Sequence, residues 1–509
     1  MKKNFRPLIK LMIVIMCILA IAVLTLRSIN RMGIDETHYM YAAVSGVKIN
    51  IFARDGQYYL FLPSFADEEG IEYSYEAKKH DITVMRSQNL PCVFITTNSG
   101  SLDNIYADKE HKEAGKMTVI GPDGSRDTSA GLDYIKGRGN YSWNTWDKKP
   151  FKMKLNKPAS VLDLGYGTDY CLLANASDAT LIRNEVARKL EMAVGIPYAS
   201  SGRFCDLYVN GDYMGNYFLC PSIEVGEDRV DITDIDERQS QIIKKLNADA
   251  ISVYETPRMR GWNLPETVED ITGGYLVERE FGDRYDYEYG KFKNGFITEK
   301  GEHYIVISPQ YCSVSEINYI SDCFDRAENA LFSGGDLGEY IDEESFAKRY
   351  LVEEVLKNYD GGVSSAYYYK DSDSVDGRIY AGPGWDFDMS LGNYLDWMEY
   401  ASEDATGITK LYLSEHSSIY YRELVKRDDF MKCVTESFKR DVIPYFEELC
   451  SAGIDSYEKE LSASSAMDSI RWKTMYCELG YTTGDHGEYE ELKSFIEQRI
   501  SFLTGEWCK

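Results

Sequence analysis

Short apolar or alternating runs, typical of β-strands, follow one another through the first half of the chain. The runs "GVKINIFA" and "GQYYLFLPSF" flank the turn "RDG", so a hairpin is predicted within residues 38–66. Further strands are predicted at residues 90–97, in "KMTVIGPDGS" and at residues 273–280. In "FKMKL" polar and apolar residues alternate, which places Lys152 and Lys154 on one face of a strand. This half is therefore predicted to be mostly β-sheet.

One helix and one further hairpin are predicted inside this β-rich half. Residues 178–195 carry apolar residues at helical spacing, with Asp178 as the predicted N-cap and Gly195 as the stop. Two strand-like runs at residues 204–220 surround an Asn-Gly pair, which is the strongest short signal for a hairpin turn.

The apolar spacing changes to the helical period in the second half. Helices are predicted at residues 313–332, 342–360, 428–450 and 489–507. Two short strands, in "SSAYYYK" and "GRIYAGPGW", interrupt them and would bring the motifs "NYD" and "WDFD" to neighbouring loop ends. The predicted fold class is α+β, with a β-rich part followed by a mostly helical part.

The amino-terminal residues have the layout of an export signal. Basic residues precede an apolar run at residues 11–26, and "AIA" at residues 20–22 matches a cleavage-site pattern. A helix over this run would span about 24 Å, less than the hydrocarbon core of about 30 Å. We expect a signal anchor or signal peptide at residues 1–31, and a protein that is either a single-pass membrane protein with an extracytoplasmic domain or secreted. The other predicted regions are a small β-rich accessory region at 32–88, a β-rich lobe at 89–280 and a helical lobe at 281–509.

Charge and cysteine content exclude several classes of function. The 509 residues include 83 acidic and 56 basic ones, for a net charge of −27, so binding to nucleic acid through a general positive field is not expected. The cysteines form no CxxC pair, which argues against a zinc site. The 40 tyrosines are best explained as half-buried packing, with a saccharide-contacting surface as the weaker interpretation.

A strand-borne lysine and two separated aspartate motifs in a helical half match the general layout of a phosphoryl-transfer enzyme. Such chemistry needs a cation on the nucleotide phosphates, a carboxylate on Mg²⁺ and a second carboxylate that orients the incoming hydroxyl. A glycine-containing loop, "GRGN", precedes the strand that carries Lys152. Taken alone, this loop is a weak signal, because a hairpin turn would look the same.

Five motifs together resemble the spore coat protein H (CotH) kinase family of exported or cell-surface atypical kinases. They are "KGRGNYSWNTWDKKPFKMKL", "NASDATLIRNEVARKL", "LYVNGDYMGNYFLCPSIE", "NYDGGVSSAYYYK" and "GWDFDMSLGN", which occur in this order between about residues 90 and 395. The resemblance implies an atypical protein-kinase-like fold of two lobes. It also implies ATP and Mg²⁺ as cofactors, with Mn²⁺ or Ca²⁺ as alternative metals.

The resemblance also implies the roles of individual residues. Residues assigned in this way to nucleotide binding are Gly137, Arg138, Gly139, Ser142, Lys152, Lys154, Glu185 and Glu224. Within this set Lys152 would contact the phosphates and act in catalysis, with Lys154 as its neighbouring alternative, and Glu185 would be its ion-pair partner. Without the family, Lys152 and Lys154 would be read as solvated lysines on a strand face.

The same resemblance assigns the acidic motifs. Asp360 would orient the substrate hydroxyl and accept its proton, whereas a polar turn at a helix end is its structural alternative. Asp386 and Asp388 would hold the metal, on one side of an extended backbone. Ser365 stands where kinases of this type commonly have a second metal-binding Asn, and a hydroxyl is the poorer ligand.

Two classes of function follow. The first is a kinase that transfers the γ-phosphoryl group of ATP to Ser or Thr hydroxyls on cell-surface, secreted or spore-coat proteins. The second is a surface, adhesion or spore-coat scaffold that keeps a kinase-like fold without catalysis, an interpretation that the serine at position 365 favours. A saccharide-modifying enzyme is a third and weaker interpretation, because no carboxylate pair at a recognisable spacing supports it.

Overall fold

The computed structural model describes residues 40–246, 251–358, 360–362, 364–393, 404–408, 417–480 and 482–509. The predicted signal segment at residues 1–31 lies outside this set. Within the described ranges, no helix combines the length and apolar character needed to cross a membrane. The described residues divide into two compact units, a small one within residues 40–62 and 66–85 and a large one within residues 63–65 and 86–509.

The described part of the small unit is β-rich, as predicted. Its strands are β1 (Tyr41–Val44), β2 (Val47–Asn50), β3 (Phe52–Arg54), β4 (Gln57–Leu62), β5 (Glu72–Tyr73) and β6 (Ile82–Arg86). The hairpin around "RDG" is confirmed, with Asp55 and Gly56 both at positive φ between β3 and β4. The single strand predicted in "GVKINIFA" is instead two strands, because β2 pairs with β1 and β3 pairs with β4 in a different sheet.

The large unit begins with a closed seven-stranded barrel. Its strands are β7 (Cys92–Thr97), β8 (Glu113–Ile120), β9 (Arg126–Gly137), β10 (Phe151–Ser160), β11 (Tyr166–Leu173), β12 (Arg203–Val209) and β13 (Asp212–Pro221), in the order β10-β11-β13-β12-β7-β8-β9. The helices between them are α1 (Asp103–Ala107), α2 (Tyr141–Thr145) and α3 (Arg183–Val194). Phe151, Met153 and Leu155 fill the barrel, while Lys152 and Lys154 lie on the outer face of β10, as the alternation predicts.

A second seven-stranded sheet joins both halves of the sequence. Its strands are β14 (Ser252–Thr256), β15 (Met259–Asn263), β16 (Tyr275–Glu280), β17 (Gly295–Ile297), β18 (His303–Ser308), β19 (Ala366–Lys370) and β20 (Ile379–Ala381), with helices α4 (Ile235–Ile243) and α5 (Gly282–Glu288) inserted. The order is β14-β15-β17-β18-β16-β19-β20. Strand β16 ends at residue 280 and pairs with β18 and β19 beyond it, while the lobe boundary at this residue stays a prediction.

The remaining described elements are mostly helical. They are α6 (Val314–Ser333), α7 (Glu343–Leu356), α8 (Ile419–Leu424), α9 (Asp428–Ser437), α10 (Ile443–Glu448), α11 (Ile454–Arg471), α12 (Lys473–Leu479) and α13 (His486–Trp507). The helix predicted to reach residue 360 ends at Leu356, because Lys357 adopts the left-handed conformation with a φ of 48°. Asp360 therefore begins a separate short turn, Asp360–Gly362, that leads into β19. The α+β class is confirmed, whereas the two-lobed kinase arrangement stays a prediction.

Candidate active site

The acidic loop at residues 382–393 is held in place by buried polar side chains of α3. Glu191 accepts a hydrogen bond from the backbone N–H of Gly384 at 2.8 Å. About two turns closer to the start of the helix, Asn184 accepts a hydrogen bond from the backbone N–H of Phe387 at 3.2 Å. Both side chains are almost fully buried. Helix α3 thus satisfies the backbone of a loop that has no strand partner at these positions.

Polar contacts orient the two carboxylates of this loop. Ser365 donates its hydroxyl to Asp386 Oδ2 at 3.1 Å, and Arg138 Nη2 lies 3.4 Å from Asp386 Oδ1. Ser177 donates to Asp388 Oδ2 at 3.2 Å. The backbone of Asp386 has a φ of 57°, which is unfavourable for a residue with a side chain and is typical of functional sites. The expected extended backbone is therefore wrong at this position, although both carboxylates reach the same cleft.

Burial and neighbouring carboxylates raise the pKa values of two aspartates of the predicted site, Asp360 and Asp388. Burial raises the pKa of Asp360 well above its usual range, and the charges of Asp386 and Asp388 raise it further. Burial and the charge of Asp386 raise the pKa of Asp388 to about 6. Burial is the largest cause of both shifts and the neighbouring carboxylates add to it, a pattern that marks functional sites.

One open cleft, with an empty volume of about 850 Å³, brings these groups together. Its lining includes Arg138, Gly139, Ser142, Asp360, Ser365, Asp386 and Asp388, all of them residues assigned from the sequence. Asn140, Tyr141, Asn175, Ser177, Asn184 and Arg284 also line it. The sequence motifs that are more than 200 residues apart thus meet in one place.

Arg284 is the cleft residue that sequence reasoning missed most clearly. It lies on α5, with its Nε 3.3 Å from Glu288 Oε1. Glu288 also accepts a bond from Asn140 Nδ2 at 2.8 Å, which ties α5 to the "GRGN" loop. The charge of Arg284 lowers the pKa of Asp360, although burial outweighs this effect. In the sequence, Arg284 is a single basic residue after β16 and belongs to no motif that indicates a site.

The lysines predicted to bind nucleotide form a separate cluster that does not line the cleft. Lys152 Nζ lies 3.0 Å from Asp169 Oδ1, and Lys154 Nζ lies 3.5 Å from Asp169 Oδ2. Glu224 Oε1 accepts a bond from the N–H of Asp169 at 3.3 Å. Burial and the charge of Asp169 raise the pKa of Glu224 to about 7. The role of this cluster in nucleotide binding stays a prediction.

The expected ion pair between Glu185 and Lys152 is not present. Glu185 Oε1 lies 3.1 Å from Lys189 Nζ on the same helix, and Ser201 donates to its other oxygen at 2.7 Å. The carboxylate that meets Lys152 comes from Asp169 on β11, the strand next to β10. Sequence could not choose between them, because the face that α3 presents depends on packing.

The donor set suits a hard divalent cation. Mg²⁺ takes oxygen ligands and is commonly held by one or two carboxylates, with water and phosphate oxygens completing its shell. Asp386 and Asp388 supply such oxygens. In the part of the chain that the structure describes, no three His, Cys, Asp or Glu side chains are close enough to form a complete metal cage. Asp386 and Asp388 therefore fit a metal ion whose remaining ligands include phosphate oxygens.

The motifs of the cleft lie in a region that matches the model of a known protein family. The model of the family described as CotH kinase protein matches residues 135–503, which is most of the chain and includes the whole cleft. No curated protein matches the sequence.

Proposed function

Because the chain belongs to the CotH kinase family, we propose that it transfers the γ-phosphoryl group of ATP to Ser or Thr hydroxyls of cell-surface, secreted or spore-coat proteins. The observation that carries this proposal is the convergence of Asp360, Asp386 and Asp388 in one cleft with Arg138. Phosphoryl transfer depends mainly on positioning and on charge stabilisation, and this cleft supplies groups for both.

Each residue of the cleft then has a role. Asp360 orients the incoming hydroxyl and accepts its proton late in the transfer. Arg138 and the hydroxyl of Ser142 bind phosphate oxygens, since a guanidinium matches phosphate geometry. Asp386 and Asp388 would hold Mg²⁺, or alternatively Mn²⁺ or Ca²⁺, which would neutralise charge on the phosphates when bound.

Transfer of label from γ-labelled ATP to an acceptor protein tests this function. The full chain is assayed with Mg²⁺, Mn²⁺ and Ca²⁺ in turn, beside the variant Asp386→Asn. We expect label to be incorporated by the wild type with at least one metal and lost in the variant. Asp133→Asn, at an exposed position of β9, is the matched control and should incorporate label like the wild type. Label transfer by Asp386→Asn at the wild-type rate would contradict the proposal.

A kinase-like scaffold without catalysis is the second candidate, and the contact of Ser365 favours it. Its hydroxyl donates to Asp386 rather than offering an amide oxygen to a second metal. Thermal unfolding with ATP and Mg²⁺ separates the two candidates, since a ligand that binds only the native state raises the unfolding temperature. No increase at millimolar ATP would favour the scaffold. The predicted export of the chain is part of this proposal in both forms.

A further inference from the structure

A buried ion-pair network contacts both acidic loops of the cleft. Arg349, on α7, binds Glu191 of α3 with one guanidinium nitrogen and Glu353 of α7 with another. The three residues are between 1% and 4% exposed. The network therefore joins the helix that supports the metal-binding loop to the helix that precedes the loop of Asp360.

Each end of the network touches one of the two loops. On one side, Glu191 Oε1 accepts the hydrogen bond from the N–H of Gly384, two residues before Asp386. On the other side, the carboxylate of Glu353 packs against Gly361, the residue after Asp360. A Cβ atom on Gly361 would lie 1.7 Å from Glu353 Oε2, so a larger residue here would displace the Glu353 carboxylate.

The same close packing occurs at the metal-binding loop. A Cβ atom on Gly384 would lie 1.8 Å from Arg349 Nη1 and 2.3 Å from Glu191 Oε1. The guanidinium of Arg349 also lies 5.6 Å from the ring of Phe387, the residue between the two metal-binding aspartates. Glycines in two distant motifs thus make room for the charged atoms of a single network.

Physical considerations favour a positioning role over a purely stabilising one. A buried ion pair contributes little net stability, because the desolvation of its charges offsets their attraction. Its geometry, however, is specific, since a planar guanidinium can bind two carboxylates in fixed directions and an ammonium group cannot. A guanidinium that binds two carboxylates, each in contact with one loop, therefore holds the two loops at a fixed distance from each other.

We propose that Arg349, Glu191 and Glu353 form a positioning network that sets the loop of Asp360 and the loop of Asp386 relative to each other. None of the three touches the reacting atoms. This inference rests on the proposed function, in which both loops must act on one phosphoryl group. Misplacement of a reacting group by about 1 Å can reduce a rate on the order of a hundredfold.

The conservative variants Arg349→Lys and Glu353→Gln test the network. Matched controls come from the neighbouring pair of Arg499 and Glu354, which is equally buried, with 2.7 Å between Nη2 and Oε1. Arg499 otherwise binds backbone carbonyls at Glu354, Val355, Ala405 and Gly407, outside both acidic loops. The controls are Arg499→Lys and Glu354→Gln.

Two readouts are measured on the full chain, both at a temperature well below the unfolding transition of each variant. The first is kcat and KM for ATP. We expect Arg349→Lys and Glu353→Gln to lower kcat at least tenfold with KM changed less than threefold, and the controls to keep kcat within twofold. An equal loss of kcat in controls and test variants, or full kcat in the test variants, would overturn the proposal.

The second readout does not require activity. Backbone hydrogen exchange is compared at residues 360–362 and 384–393. We expect faster exchange in both segments together in Glu353→Gln and unchanged exchange in Glu354→Gln. Faster exchange in only one segment, or in neither, would overturn the network even if the wild type transfers no phosphate. A failure of the proposed function alone would leave this coupled exchange in place.

Discussion

Asp206 lies in a buried polar cluster at the middle of a barrel strand, away from the candidate metal ligands, and its pKa can be tested by a change of stability with pH. It is fully buried on β12. Its Oδ1 accepts hydrogen bonds from the hydroxyls of Tyr213 at 2.9 Å and of Ser464 at 2.7 Å. Burial is the main reason that its pKa rises from 3.8 to about 6.

This shift has a definite consequence for stability. A raised pKa in the folded state means that the native protein holds the proton more tightly than the unfolded chain does. The corresponding stabilisation is complete below pH 3.8 and is lost as the pH rises through about 6. At about 1.4 kcal/mol per pH unit, the difference between the folded and unfolded pKa values corresponds to a full stabilisation of about 3 kcal/mol.

The variant Asp206→Asn removes the charge but keeps a carbonyl oxygen for the two donors. We expect its free energy of unfolding, relative to the wild type, to increase by about 2.4 kcal/mol between pH 4 and pH 7. Urea unfolding of both proteins, followed by tryptophan fluorescence at several pH values, measures this difference. Comparison at each pH cancels the contributions of titrating groups that do not interact with Asp206.

An exposed aspartate provides a control of the opposite sign. Hydrogen bonds from the hydroxyl and the N–H of Ser125 lower the pKa of Asp123, so its ionised form favours the folded state. Asp123→Asn should therefore lose stability relative to the wild type as the pH rises. A difference for Asp206→Asn that does not change with pH, or that changes in the same direction as the control, would refute the reasoning.

Three further predictions concern the cleft and its loops. Arg138→Gln should raise KM for ATP more than Lys152→Met does, because only the arginine lines the cleft; a larger effect of the lysine variant would contradict this and support the nucleotide role assigned to Lys152 from the sequence. Ser365→Asn should fold normally, since Asn tolerates the φ of 52° at this position, and should tighten Mn²⁺ binding in calorimetry; unchanged affinity would exclude a metal ligand at this position. Gly384→Ala should lower the unfolding temperature by overpacking at a cost of about 1–3 kcal/mol, whereas Gly290→Ala, where a Cβ meets nothing within 4 Å, should not; equal unfolding temperatures would contradict the close packing.

Local patterns predicted most of the individual elements. The alternation around Lys152 and the Asn-Gly turn at residues 210–211 depend only on neighbouring residues, and both are confirmed. The helix predicted to reach Asp360 was too long, because the left-handed Lys357 that ends it is not a residue type typical of that conformation. The closed barrel was not predicted, since closure depends on pairing between strands far apart in the sequence.

The site was predicted in part for the same reason. The resemblance to a known family assigned Asp360, Asp386 and Asp388 to one site, and the three residues are found in one cleft. The partner of Lys152 and the presence of Arg284 depend on which helix faces are turned inward, which local sequence does not determine. The network around Arg349 was not predicted, because the sequence alone does not distinguish a buried arginine from one at the surface.

The comparison of binding with transfer in Asp360→Asn tests the central claim most directly. The variant retains the metal-binding loop, so ATP with Mg²⁺ should raise its unfolding temperature as in the wild type. It lacks the carboxylate that accepts the hydroxyl proton, so incorporation of label from γ-labelled ATP should fall by about a hundredfold or more. A variant that binds ATP and transfers label at the wild-type rate would contradict the account.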